Sequence, residues 1–228
     1  MRIEKIMPYL VVIMVFILLL LFYTAYDKTT KTLVFEKLGK VLSFQDTTFS
    51  FRELNKVIAL ESIGLIAMVF LLGPLSKLLP KFFGHFLYLR KPVGLMGFGF
   101  AVIHSVYSFI EFYKSNIDLM MFQNPKVIGI IAAFIALAIF FLMSITSSKE
   151  VEQRIGYRKW KALQTFGYVG LFFALIHFFV LETKPDIGLD VRPFGLLFFY
   201  LPIISILARF LIVFIITPEK TSYEEHIG

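Results

Sequence analysis

From Val127 to Ile145 the chain runs for nineteen residues without one charged side chain. At about 1.5 Å of rise per residue, a helix of that length nearly spans the roughly 30 Å hydrocarbon core of a bilayer. Comparable apolar runs lie at about 7–26, 57–75, 92–113, 162–181 and 193–216. Lipid offers a backbone no hydrogen bonds, so each run has to satisfy itself as a helix. The fold this predicts is all-α: one polytopic membrane domain over 1–228, built as a six-helix transmembrane bundle. Hydrophobic residues make up 58% of the chain and the mean hydropathy is +0.79, more apolar surface than a soluble domain of this size needs.

The net charge of +7 invites a nucleic-acid reading, which the placement of the charges argues against. Most of the Lys and Arg lie in short loops beside apolar runs, where they orient a membrane protein. Lys77, Lys81, Arg90 and Lys91 precede the third run, and Lys149, Arg154, Arg158, Lys159 and Lys161 precede the fifth. The positive-inside rule then puts both termini in the cytoplasm, in the cell (inner) membrane. The loop holding Lys28, Lys31, Lys37, Lys40 and Arg52 runs against this count, but it is long enough for the rule to weaken. The first run, preceded by Arg2 and Lys5, exceeds a signal-peptide core and reads as a retained helix, with a cleaved signal as the alternative. Alternation at Thr48–Arg52 suggests a short strand or interfacial segment, and Gly73-Pro74 reads as the close of the second run.

One octapeptide frame occurs twice, as Gly97-Phe98-Gly99-Phe100-Ala101-Val102-Ile103-His104 and as Gly170-Leu171-Phe172-Phe173-Ala174-Leu175-Ile176-His177. Residues three, four and seven before a helical histidine share its face. Gly97, Phe100 and Ala101 therefore flank His104 as Gly170, Phe173 and Ala174 flank His177. Such a face is shallow and aromatic-walled, and two of them, each offering an imidazole, suit a clamped haem. The alternative is ordinary small-residue helix packing, with both histidines hydrogen-bonded in the core. A single histidine favours the alternative; a matched pair favours ligation. His104 lies 13 residues beyond Lys91 and His177 lies 16 beyond Lys161. Both thus sit roughly 20 Å or more from the same charged edge, the shared depth that one ligand requires. An iron held by two imidazoles has no open position and moves single electrons. Each ring then needs its other nitrogen hydrogen-bonded.

The chain has no cysteine, which removes disulfides, thiolate zinc sites, iron–sulfur clusters and thioether haem attachment. His85 and His226 fall in a loop and the tail and carry no role. Glu61 and Glu111, near span ends, read as solvated carboxylates, with proton or metal handling at the outlet as the alternative.

Arg90-Lys91, Gly94, Phe98, His104 and Tyr107, followed by Thr146-Ser147, Ile155-Gly156, Arg158, Trp160, Leu163, Gln164 and His177, resemble the ferric reductase-like transmembrane domain family over about 60–215. Within it the pattern is most similar to the haem-binding membrane subunit of the bacterial methionine sulfoxide reductase system. The resemblance implies haem b on His104 and His177, with an inner FMN, FAD or quinone feeding it. Gln164 stands where that subunit usually has histidine. Lys91 and Gln164 also lie 13 residues before the two ligands, where two-haem relatives carry a second pair, so the resemblance implies one haem. Trp160, Gln164 and Arg209 are candidates for the inner flavin or quinone site; Arg209 snorkelling to the surface and Trp160 in an interfacial belt are the alternatives.

No Gly-rich dinucleotide motif follows a strand, and no nucleophile–base set or metalloprotease motif occurs. The function expected is a membrane b-type cytochrome, an electron-transfer subunit. It would take electrons from a quinol or flavin reductase through one bis-histidine haem to an external oxidoreductase partner or metal ion. A cofactor-free membrane transporter or assembly protein is the rival class; few buried charges mark a substrate path for it.

Overall fold

The computed structural model describes residues 3–27, 32–34, 51–184, 188–189 and 193–216. Among them are six long helices: α1 (Ile3–Ala25), α2 (Phe51–Leu78), α3 (Arg90–Glu111), α4 (Val127–Ile145), α5 (Tyr157–Glu182) and α6 (Pro193–Leu211). Five helical stretches are long and apolar enough to cross a membrane: Glu53–Leu78, Pro80–Glu111, Val127–Ile145, Tyr157–Glu182 and Gly195–Phe214. In α1 the apolar window is shorter, Pro8–Leu19. The protein is an all-α polytopic membrane protein, with two small antiparallel pairings, Tyr26–Asp27 with Thr32–Leu33 and Thr183–Lys184 with Gly188–Leu189. Large apolar side chains such as Ile13, Ile103, Phe134, Phe172 and Leu207 turn outward, as lipid-facing residues do.

The central helix is α2, packed against α1, α3 and α6. Its buried side is Val57, Leu60, Ile63, Leu65, Ile66, Ala67, Val69 and Phe70. Polar links bind it to α3, three of them in register. Asn55 Oδ1 meets His104 Nδ1 at 3.0 Å, Ser62 Oγ donates to the Gly97 carbonyl at 2.9 Å, and Arg90 Nε donates to the Val69 carbonyl at 3.1 Å. On α2 the linked residues climb in steps of seven while on α3 they descend by seven. This is an antiparallel seam with the heptad repeat of left-handed helix pairs. Ser205 Oγ donates to the Ala67 carbonyl at 2.8 Å and seats α6, and a Cβ on Gly64 would collide with the Phe198 ring.

The pair α4–α5 closes differently. Gly129 lies under Val180, Gly170 against Ile139 and Phe140, and Gly167 against Met143. Small residues let two backbones approach where lipid supplies no hydrophobic drive.

Several expected boundaries moved. Phe51 and Arg52 open α2 as helix rather than extending a strand from Thr48; residues 48–50 lie outside the described residues. Pro74 does not end α2, which runs to Leu78. Proline lacks the N–H that would bond the Phe70 carbonyl four residues back. That carbonyl instead accepts from the Tyr168 hydroxyl at 2.8 Å, so the break leaves nothing unsatisfied. Before α5, Ser148 caps a short helix, Lys149–Ile155, and Gly156 turns the chain at φ +84°, a conformation that side chains rarely adopt. Helix α5 therefore starts at Tyr157, ahead of the expected 162.

Candidate functional site

A chamber of about 740 Å³ opens between α3 and α5, with α2 and α4 as its other walls. That is the size of a pocket for an organic cofactor. Ala101, His104, Ser105 and Ser108 line it from α3, and Leu171, Ala174, His177 and Phe178 from α5. The rim is charged, with Glu53, Lys56, Lys126, Glu182 and Lys184. Lys56 pairs with Glu182 at 2.9 Å, and Lys126 Nζ donates to the carbonyls of Leu181 and Thr183 at 2.6 and 2.9 Å.

Both histidines have a fixed tautomer. His177 Nδ1 lies 2.9 Å from the Gly129 carbonyl oxygen. A carbonyl only accepts, so Nδ1 donates and Nε2 of the neutral ring keeps its lone pair. His104 Nδ1 donates in the same way to Asn55 Oδ1, and the other end of that amide, Nδ2, donates to Ser108 Oγ at 2.9 Å. The two ring centroids are 6.2 Å apart with planes inclined at 68°. One metal ion held by both nitrogens would sit about 2 Å from each, which with just over 1 Å from nitrogen to ring centre calls for about 6 Å between centroids. The spacing fits. Among the described residues no group of three or more His, Cys, Asp or Glu side chains gathers, so the donor set is two imidazoles.

The repeated frame divides its labour. Ala101 and Ala174 line the chamber. Gly97 and Gly170, expected on the cofactor face, are helix seats instead. A Cβ on Gly97 would come within 2.9 Å of Ile66 on α2, and one on Gly170 within 3.0 Å of Ile139 on α4. Phe100 stacks on Phe16 of α1 with centroids 5.6 Å apart, and Phe173 packs on the core cluster around Leu171. Seven residues are nearly two helical turns, so each glycine settles its helix on a support while the histidine looks into the gap.

At the opposite end of the bundle, Trp160 and Gln164 turn to the end of α4. Trp160 Nε1 donates to the Thr146 carbonyl at 3.0 Å, and Gln164 Nε2 lies 3.5 Å from the Met143 carbonyl; both serve the end of α4. The free carbonyls of a helix terminus draw these donors. Arg209 has its guanidinium carbon 5.8 Å from the centre of the Tyr168 ring, within electrostatic reach of Arg90 and Lys161.

Glu61 corrects another expectation. It is 1% exposed, and neither carboxyl oxygen has a hydrogen-bond partner among the described residues. Position 61 falls on the central helix, so it faces the bundle rather than water. Glu111 and His85 are exposed, as expected for solvated groups, and His226 lies outside the described residues.

Residues 58–181, the segment that carries both histidines, Gly129 and the glycine seats, match the ferric reductase like transmembrane component family. The chain belongs to that family. Metalloreductase STEAP2 of Mus musculus is 24% identical over 161 residues, 57% of this chain and 33% of that protein. The ferric reductase-like chain thus spans about a third of the length of this curated relative. Membership makes the chain a ferric reductase-like transmembrane component.

Two residues that hold the histidines were missed in the sequence. Asn55 lies just ahead of the 57–75 run among polar residues, though an amide at the start of an apolar helix is a detectable signal. Gly129 contributes a backbone oxygen, which no sequence pattern marks.

Proposed function

We propose that His104 and His177 are the axial ligands of one haem b held in the chamber between α3 and α5. On this reading the protein is a membrane cytochrome that passes single electrons across the bilayer. The donor is a quinol or a flavin reductase on the side of Arg209; the acceptor on the histidine side is an external oxidoreductase or a metal ion. An acceptor of the methionine sulfoxide reductase type fits the sequence motifs, and the name of the metalloreductase relative favours a metal ion. Haem supplies the one-electron couple. The chain's own residues fix the two tautomers through Asn55 and Gly129, keep water from the rings with Leu171, Ala174 and Phe178, and join the rim through Lys56 and Glu182.

One observation carries the reading. Two imidazoles from a repeated frame have Nδ1 committed to acceptors and rings at the separation one ion needs. The two imidazoles would hold the haem iron, and the haem would supply a one-electron couple there. The small residues at 101 and 174 leave the haem room. Helix α1 crosses as a sixth span, both termini face the cytoplasm, and the host is the cell membrane. An FMN, FAD or quinone on the inner side would meet Arg209, with Trp160, Gln164, Arg90 and Tyr168 as the further candidates.

The test is a reduced-minus-oxidised absorption spectrum of the purified full chain with a pyridine haemochrome count. Expected are b-type bands at one haem per chain, lost in His104→Ala and in His177→Ala. A folded wild-type protein that neither carries nor takes up haem would overturn the reading.

A further inference from the structure

The acceptor of His177 belongs to the first turn of α4, so the ring is only as well placed as that turn is on the end of α5. Two features set that contact. Gly129 offers no Cβ; one built there would lie 3.0 Å from Val180 Cγ1 and 3.1 Å from Val180 Cβ, so glycine brings the backbones together. Lys126, one turn before Gly129, sends its ammonium to the carbonyls of Leu181 and Thr183 at 2.6 and 2.9 Å. These are carbonyls at the end of α5 that the helix itself leaves without partners, and a cation there also answers the helix dipole. Leu181 lies one turn after His177. The Lys126–Leu181 bond and the His177–Gly129 bond are therefore neighbouring rungs between the same two turns.

We propose that Lys126 is a positioning residue for His177: by clamping the end of α5 it holds the Gly129 carbonyl at bonding distance from the ring. This rests on the haem reading above, which alone gives the ring orientation a chemical consequence. Two other groups near the rim hold different contacts. Lys56 is paired with Glu182 and ties α5 to α2, not to α4. Asn124 Nδ2 donates to the Tyr113 hydroxyl and its Oδ1 accepts from the Lys126 amide, so it shapes the turn without reaching α5. At the far end of the α4–α5 seam, Trp160 and Gln164 attach to Thr146 and Met143, remote from His177 along both helices.

The experiment compares purified full-length wild type, Lys126→Met and Lys126→Arg in lipid nanodiscs. Methionine keeps the length and loses donors and charge; arginine keeps both. Three readouts are taken: hemin affinity by titration, the low-spin signal in electron paramagnetic resonance, and thermal melting. Lys126→Met is expected to bind hemin about tenfold more weakly, as loss of an outer partner of a ligating histidine does. It is also expected to show a high-spin fraction absent from wild type, which a purely structural defect would not produce in protein that remains folded. Lys126→Arg is expected to restore both. A Lys126→Met protein with wild-type affinity and spectrum overturns the clamp while leaving the haem reading intact. An equal loss in Lys126→Arg and Lys126→Met, with melting lowered alike in both, also overturns it, since a cationic donor would then not be what matters. Wild type without hemin affinity sinks the underlying reading instead.

Discussion

The two histidine helices rest on their supports by unlike means. Side chains lace α3 to α2, with Asn55, Ser62 and Arg90 each crossing the seam. Between α4 and α5 the crossing side chains, Lys126, Trp160 and Gln164, sit at the ends of the seam, and along it missing side chains count: Gly129, Gly167 and Gly170 let the backbones close, and the ring of His177 reaches a carbonyl. Yet the plan is shared. Asn55 and His104 are 49 residues apart, Gly129 and His177 are 48 apart, and each histidine follows its seating glycine by seven. One geometric task, presenting an imidazole at a set height with a set tautomer, is met once by a replaceable amide and once by a backbone atom that no substitution removes. The halves should therefore fail differently.

The largest effect is expected from Gly129→Leu. The added side chain meets Val180 at once, and overpacking of this kind costs about 1–3 kcal/mol before the carbonyl is carried away from His177. Melting temperature and hemin affinity should both drop. A Gly129→Leu protein that melts and binds like wild type would remove the close seam from the account. Next comes Asn55→Leu, nearly the same volume but without the amide. It leaves His104 Nδ1 and Ser108 unpaired inside the bundle, at about 1–3 kcal/mol. Hemin affinity should fall about 10- to 100-fold, and Asn55→Asp, which keeps an acceptor, should recover most of it. If Asn55→Leu binds hemin normally, the contrast between the halves is gone. The smallest effect belongs to Ser108→Ala, which only frees the far end of the amide. Roughly 0.5–1.5 kcal/mol, at or below about tenfold in the same titration, is the expectation.

Much of this arrangement was legible in the residues. Helix α4 has the boundaries its uncharged run implied, and His104 and His177 come to line one chamber with ring centroids 6.2 Å apart. What escaped were effects of tertiary context. The start of α2 looked polar because Arg52, Glu53, Asn55 and Lys56 crowd it, and the amide that orients His104 was hidden among them. Pro74 read as a stop because a chain alone cannot show that Tyr168, on a distant helix, would take the carbonyl it frees. Gly97 and Gly170 stood beside the histidines on a helical wheel, and only the supports α2 and α4 show which neighbour claims them. Glu61 was taken for a surface group because nothing in its local sequence says that α2 is surrounded.

The steps of seven along α2 and α3 act as a gauge on chain length. One residue inserted between Gly97 and His104 would swing the imidazole by about 100° around the helix and raise it by about 1.5 Å. Only an insertion of seven would bring it back to face α5, and by then it would stand about 10 Å too high to oppose His177. Insertions and deletions in this protein therefore belong to the connections. The number of residues from Arg90 to His104 is as much a part of the site as the ring itself.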